Sequence, residues 1–358
     1  MIGYVFDKLL GTLLSLFGVV TIVFFLFSVL PGDPAQMMMD QNEDSEQLDL
    51  IKNKFGFDLP IGIQYAYYIN DLSPISFHST DPNHFTNYKQ TKYGGFVLLS
   101  IKQIQCVIKF PYLRTSYQKQ GKPIAALIKE TLPNTFILAF SAISIAVIFG
   151  ILFGIISMQY KDTWIDTGLQ LFSTLGMSIP SFFSAILFSW FFGYVLHEYT
   201  HLNMTGSLYE LDDYGESQNI IIKNLILPAI VLGIRPLAVI IQLMRGSLLE
   251  VMSLDYIRTA RSKGLSKNHI IYYHGLKNSL NPVVTAVSGW FASLLAGAIF
   301  VEYIFGWKGL GKEIVDALNT LDIPVIMGAV ITIAFLFIII NIVVDLVYAY
   351  LDPQIKPF

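Results

Sequence analysis

The sequence predicts an all-α protein that crosses a membrane six times, and three observations carry that prediction. Of its 358 residues, 54% are hydrophobic and 14% charged, whereas an ordinary soluble domain is about a quarter charged. The apolar residues gather in six stretches of about 20 residues or more, the length a helix needs to cross a hydrocarbon core about 30 Å thick. Six of the 23 Lys and Arg residues gather in one short connection between two of those stretches. Surface-to-volume scaling leaves much of any globule wet, so this many apolar residues need an apolar solvent outside the fold. A net charge of -3 offers no basic stripe, and nucleic acid is therefore not expected as a partner. Cys106, the only cysteine, excludes an intrachain disulfide and a thiolate metal cluster.

Leu9 to Leu30 carries no charge. It ends at Leu30-Pro31-Gly32-Asp33-Pro34, because proline lacks the amide hydrogen and clashes with the preceding turn. Lys8 precedes a stretch too long for a cleavable signal, and no small-x-small site follows, so a retained signal-anchor is expected. In the long connection that follows, Phe96 to Phe110 is apolar but short and broken by Lys102 and Lys109. It reads as folded structure outside the membrane. Leu132 to Met158 and Gly168 to Leu196 are charge-free and longer than a perpendicular crossing requires, which predicts tilting or a break; Pro180 is the expected kink in the second. Leu225 to Met244 is interrupted by Arg235-Pro236, and a cation at mid-span costs about 2.5–3.5 kcal/mol on insertion scales. Ser279 to Val301 and Ile323 to Val344, the latter closed by Asp345 and Leu351-Asp352-Pro353, complete the six.

Cytoplasmic loops retain Lys and Arg, while long external loops translocate largely regardless of charge. The segment from Arg245 to Lys277 holds Arg245, Arg258, Arg261, Lys263, Lys267 and Lys277. The loop between the third and fourth spans holds Lys223 against Glu198, Glu210, Asp212, Asp213 and Glu216. The first loop is therefore expected inside and the second outside, which places both termini in the cytoplasm and residues 31–131 outside.

Two motifs suggest other chemistry. His197-Glu198-Tyr199-Thr200-His201 fits H-E-x-x-H, in which two histidines on one helical face hold zinc and the glutamate acts as base. The competing reading is polar and aromatic residues gathering where a span leaves the membrane, so His197 and His201 are kept only as candidate ligands and no metal is expected. Gly306 to Glu313 nearly matches the phosphate loop G-x-x-x-x-G-K-[ST], but Glu313 replaces the magnesium-binding hydroxyl and would repel phosphate. A glycine-rich turn with Trp307 at the membrane interface is the preferred reading.

Asp255 to Pro282 reads DYIRTARSKGLSKNHIIYYHGLKNSLNP. Its spacing predicts two short helices around the breaker Gly264. This segment resembles the EAA loop of ABC importer permeases, specifically the B-type subunit of the dipeptide/oligopeptide/nickel family. The resemblance extends to Leu30–Pro34, Phe55–Pro60 with Gln64-Tyr65, Leu132–Thr135, Ser178–Phe183, Val301–Gly311 and Asp345–Pro353. It departs in an apparent insertion from about Ile75 to Leu113, and HEYTH lies outside the family pattern. The resemblance implies the type I permease fold, with 1–30 a signal-anchor helix, 31–131 an extracytoplasmic region carrying the insertion, and 132–358 the core with the loop 248–282.

It further implies a non-catalytic subunit in the inner membrane of a prokaryote, importing di- or oligopeptides, with nickel or another small solute as the alternative cargo. The implied partners are a homologous second permease, an extracytoplasmic binding protein and cytoplasmic ATPases that hold ATP and Mg; this chain is expected to bind no cofactor. Asp255, Arg258, Thr259, Ala260, Arg261, Lys263, Gly264 and Lys267 are the implied ATPase-coupling residues. Arg235, Ser178 and Pro180 are the candidates for the translocation path. Small residues Gly289, Ser293, Gly297 and Ala298 permit close helix approach, either by a second permease or within this chain. A membrane zinc peptidase is the rival from another class. A secondary transporter is disfavoured because the six spans hold no Asp or Glu.

Overall fold

The apolar runs fold as long helices in the computed structural model, which describes residues 2–28, 35, 45–82, 84–119, 121–211 and 217–351. The elements in order are α1 (Ile2–Ser28), α2 (Ser45–Phe55), α3 (Ile61–Leu72), β1 (Ile75–Ser79), α4 (Gln90–Tyr93), β2 (Phe96–Ile101), β3 (Ile104–Ile108), α5 (Ile124–Gln159), α6 (Trp164–Ser178) and α7 (Ser181–Trp190). A π-helical segment (Phe191–Val195), α8 (His197–Thr200), β4 (Tyr209–Leu211), β5 (Gln218–Ile220), α9 (Lys223–Val251), α10 (Asp255–Ser262) and α11 (Lys267–His269) follow. A second π segment (Ile270–Gly275), α12 (Leu276–Gly297), α13 (Ile299–Phe305), α14 (Leu310–Asn319) and α15 (Ile323–Leu351) complete the described chain. The motif Leu30–Pro34, the acidic residues Asp212, Asp213 and Glu216, and Asp352-Pro353 lie outside the described residues.

Among the described residues, five continuous stretches are long and apolar enough to cross a membrane: Leu10–Ser28, Ile124–Gln159, Lys223–Val251, Lys267–Gly297 and Ile323–Val344. Helices α6 and α7 with the π extension pass the same test only together, across a bend of 109°, which makes six if the pair is one broken span. Two boundaries differ from expectation. Helix α5 begins at Ile124 rather than Leu132 and carries Pro133 inside it; at about 1.5 Å per residue it is longer than the hydrocarbon core. The fifth span begins at Lys267, because α11, the π segment and α12 run on without a break. The second of the two expected short helices is therefore the foot of that span.

The chain divides into two compact units, one built on Thr131–Val315 and Phe335–Phe358, the other on Phe6–Glu130 and Asp316–Ala334. In the first, glycines set the helix spacing. A Cβ on Gly150 would lie 2.6 Å from Ile240, one on Gly154 2.5 Å from Met244, and one on Gly233 2.8 Å from the Ala142 carbonyl. Small residues thus let α5 and α9 meet backbone to backbone, as membrane helices do where apolar burial supplies no drive.

In the second unit, Val20, Val23 and Phe24 of α1 pack with Tyr68 of α3 and with Met327 and Ile331 of α15. Thr21 and Tyr65 share a hydroxyl hydrogen bond of 2.6 Å. The expected insertion is a three-stranded antiparallel sheet in the order β1-β3-β2. Phe96–Phe110 supplies its β2–β3 hairpin, consistent with a folded segment too short to span.

Candidate functional site

The loop after α9 is built around one amphipathic turn. On α10, Ile257 and Ala260 are buried against Ile270, with Met252 and Leu265 beside them. Asp255, Arg258, Thr259, Arg261, Lys263 and Lys267 are all exposed. Arg258 pairs with Asp255 at 3.3 Å, and the Thr259 hydroxyl donates to the Asp255 carbonyl at 3.1 Å. The helix stops at Gly264, whose φ of +78° is open to glycine and strained for other residues. The Leu265 amide donates to the Ala260 carbonyl and the Gly264 amide to the Arg261 carbonyl, the paired bonds of a Schellman cap, with the Leu265–Ala260 contact that accompanies it. Ser266 then caps the next helix by accepting the His269 amide. The Tyr256 hydroxyl donates to the His274 carbonyl at 3.3 Å and accepts from Asn278 at 2.8 Å. The exposed helix is thereby fastened to the start of the fifth span.

The three path candidates meet at the break between α6 and α7. Pro180 holds Ile179 extended (φ -79°, ψ 128°), because a residue before proline is driven out of the helical region. The expected kink is a bend of 109°. The last carbonyls of α6 lose their helical donors there, and the Arg235 guanidinium reaches one of them, Met177 O, at 3.5 Å. Arg235, Ser178 and Pro180 are exposed, and a cation at a helix C-terminus complements its dipole. Gly176 lets α6 approach α9, since a Cβ there would stand 3.1 Å from Ile234.

Two clusters were not foreseen from the sequence. Asp166 of α6, buried, receives both arms of Arg245 at 2.7 and 2.6 Å, the Ser157 hydroxyl at 2.5 Å and the Asp162 amide at 3.1 Å. This joins α5, α6 and α9. Each residue flanks an apolar run, so the only available signal was charge at a span end. In the second cluster, Glu302 of α13 accepts the amides of Gly311 and Lys312 at 2.7 and 3.2 Å.

The phosphate-loop look-alike is therefore a lock between two segments. Its helix N-terminus already holds the carboxylate of Glu302, and a Cβ on Gly309 would lie 2.3 Å from that carboxylate. Trp307 is fully buried, correcting the interfacial placement, because its indole N–H donates to the Asn134 carbonyl at 3.0 Å. Asn134 returns a bond to the Lys308 carbonyl at 2.7 Å, and Thr135 accepts the Leu310 amide at 2.8 Å.

His197 and His201 do not form the H-E-x-x-H face. Helix α8 ends at Thr200, His201 turns left-handed (φ 52°), and His197 Nδ1 lies 2.7 Å from the Leu202 carbonyl. Among the described residues, no group of three or more His, Cys, Asp or Glu side chains converges as a metal site. The small residues of the fifth span face outward: Gly289 and Gly297 have nothing within 4 Å and Ser293 is exposed, while Ala298 is buried.

Comparison with known proteins gives these features a setting. Residues 146–357 match the family described as binding-protein-dependent transport system inner membrane component, and residues 1–76 match its N-terminal membrane-component domain. The dipeptide transport system permease protein DppB of Alkalihalophilus pseudofirmus is 32% identical over 99% of this chain and 100% of its own. The glutathione transport system permease protein GsiC of Escherichia coli (strain K12) is 31% identical, and a putative peptide permease protein of Brucella suis 30%, each over 99% of both chains. With five or six spans, an exposed loop helix and a family match over most of its length, the chain belongs to the binding-protein-dependent transport system inner membrane components, as a DppB-type permease subunit of an ABC importer.

Proposed function

We propose that the chain forms half of a path for short peptides, with a homologous second permease as the other half. An extracytoplasmic binding protein delivers the peptide, and cytoplasmic ATPases holding ATP and Mg drive the cycle; this chain carries no cofactor and makes no covalent bond. Both termini are cytoplasmic. The observation that carries this reading is α10, a helix anchored by Ile257 and Ala260 that leaves Arg258 and Arg261 exposed beside Lys263, Gly264 and Lys267. Such a helix suits an acidic groove through charge-assisted bonds, and its tie through Tyr256 to the fifth span suits the transmission of a rigid-body movement. The open small-residue face at Gly289, Ser293 and Gly297 favours approach by a helix of a second subunit over packing within this chain. Arg235, Ser178 and Pro180, gathered at the broken span, line the path.

Peptide as cargo is supported by the relatives named for dipeptide and glutathione transport. The test is uptake by proteoliposomes holding this chain with its partner permease, ATPases and binding protein. The expected result is ATP-dependent accumulation of radiolabelled Ala-Phe. Accumulation of nickel but not peptide overturns the cargo, and uptake that ignores ATP but collapses with an ion gradient overturns the transporter class.

A further inference from the structure

Within the unit built on Phe6–Glu130 and Asp316–Ala334 lies a cavity of about 720 Å³, a size typical of small-ligand sites. Its walls include the rings of Phe57, Tyr67, Phe85, Tyr93, Tyr112 and Tyr117. These rings form edge-on pairs, Tyr67 with Phe85 at 4.8 Å, Tyr93 with Tyr112 at 4.8 Å and Phe57 with Tyr117 at 5.9 Å. Mutual packing holds the walls without filling the space between them.

Positive charge is added to this aromatic surface. Lys92 lies over the Tyr93 ring at 4.6 Å and donates to the Phe85 carbonyl at 3.3 Å, and among the described residues it forms no salt bridge. Arg114 spends its Nε on Asp71 at 3.0 Å, which leaves its terminal nitrogens free of hydrogen bonds among the described residues. Its guanidinium lies 5.1 Å from the Tyr68 ring centre, and its backbone is held at φ +66°. A non-glycine residue keeps that conformation only where its surroundings enforce it, and such strain gathers at binding sites. The charged lining of Lys89, Lys92, Arg114 and Asp71 leaves an excess of cation, so the ligand is anionic at one end and apolar or aromatic elsewhere.

We propose that this cavity binds the carboxylate end of a short peptide, with Lys92 and Arg114 holding the carboxylate and the aromatic walls receiving the last side chain. The inference rests on the peptide-import reading and deepens it: the outer unit of the permease would have a peptide site of its own, distinct from the path at the broken span.

The probe is tritiated Ala-Ala-Phe, with Ala-Ala-Phe amide as competitor, binding to the full chain in nanodiscs. The acid is expected to bind at least tenfold more tightly than the amide, because a charge-assisted bond distinguishes them. Lys92→Gln is expected to weaken the acid about tenfold and leave the amide unchanged, removing the preference. Lys102→Gln, at an exposed lysine of the β2–β3 turn outside the cavity lining, controls for a general loss of positive charge and should bind within threefold of wild type. Equal binding of acid and amide by the wild-type chain overturns the proposal, as does unchanged preference in Lys92→Gln. Peptide uptake by the assembled transporter without saturable binding here removes this site and leaves the import reading intact. Binding here without ATP-driven peptide uptake removes the import reading and keeps the site.

Discussion

Glu302 shows how a single carboxyl can hold two distant motifs. Its Oε2 accepts two amides from the start of α14, while Oε1 is buried without a hydrogen-bond partner among the described residues. Burial pushes its pKa up from 4.5 to about 7, against the lowering by neighbouring hydrogen bonds. A carboxyl raised in this way binds more protons in the folded state than in the unfolded one. Its contribution is fullest below pH 4.5 and is lost as pH rises through 7. Thermal unfolding of the purified protein should therefore show a midpoint that falls between pH 5 and 8, and Glu302→Gln, which keeps an acceptor oxygen, should flatten that slope. Identical slopes in both proteins would remove Glu302 as the cause. The surrounding glycines follow from the same geometry: Gly309 is small because the Glu302 carboxylate occupies the place of its side chain.

Among the elements, α6 is held at both ends by different chemistry. At its C-terminus Pro180 forces the break; at its N-terminus Asp166 receives Arg245 in a two-pronged pair, with side chains 6% and 23% exposed. Removing one partner of a buried pair leaves a charge uncompensated, which costs about 3–5 kcal/mol when burial is complete. The partial exposure of Arg245 reduces this to about 2 kcal/mol. Asp166→Ala and Arg245→Ala should each lower unfolding stability by that amount, and the double variant should lose much less than the sum. Strict additivity in a double-mutant cycle would mean that the pair contributes nothing to joining the helices.

The spans were legible because run length is a one-dimensional property, and α10 was legible because its apolar positions and terminal glycine lie within ten residues. The Asp166–Arg245 pair was not, because it joins residues 79 apart. Trp307 was misplaced because an indole suits both an interface and a core, and only the distant Asn134 carbonyl decides between them. The hairpin escaped assignment as strands because every residue of β2 is exposed, so no alternation of burial marked the sequence.

On the scale of the whole molecule, the chain reads as a machine part with faces left open for other parts. The fifth span presents Gly289, Ser293 and Gly297 to empty space, and α10 presents its cations. Neither face is explained by the stability of this chain alone. Under the proposed function, both are faces at which other subunits of an importer dock.

Gly264 links this scale to the backbone, since its left-handed turn ends α10 and releases the chain into the fifth span. Under the proposed function, α10 passes the work of an ATPase to the spans. The most direct measurement is ATP-driven peptide uptake by the assembled transporter carrying Arg258→Glu with Arg261→Glu, or Gly264→Pro, compared with wild type at equal membrane insertion. Uptake should fall at least tenfold in both variants, and the ATPases should co-purify poorly with the charge-reversed one. Wild-type uptake in the charge-reversed variant would contradict the claim.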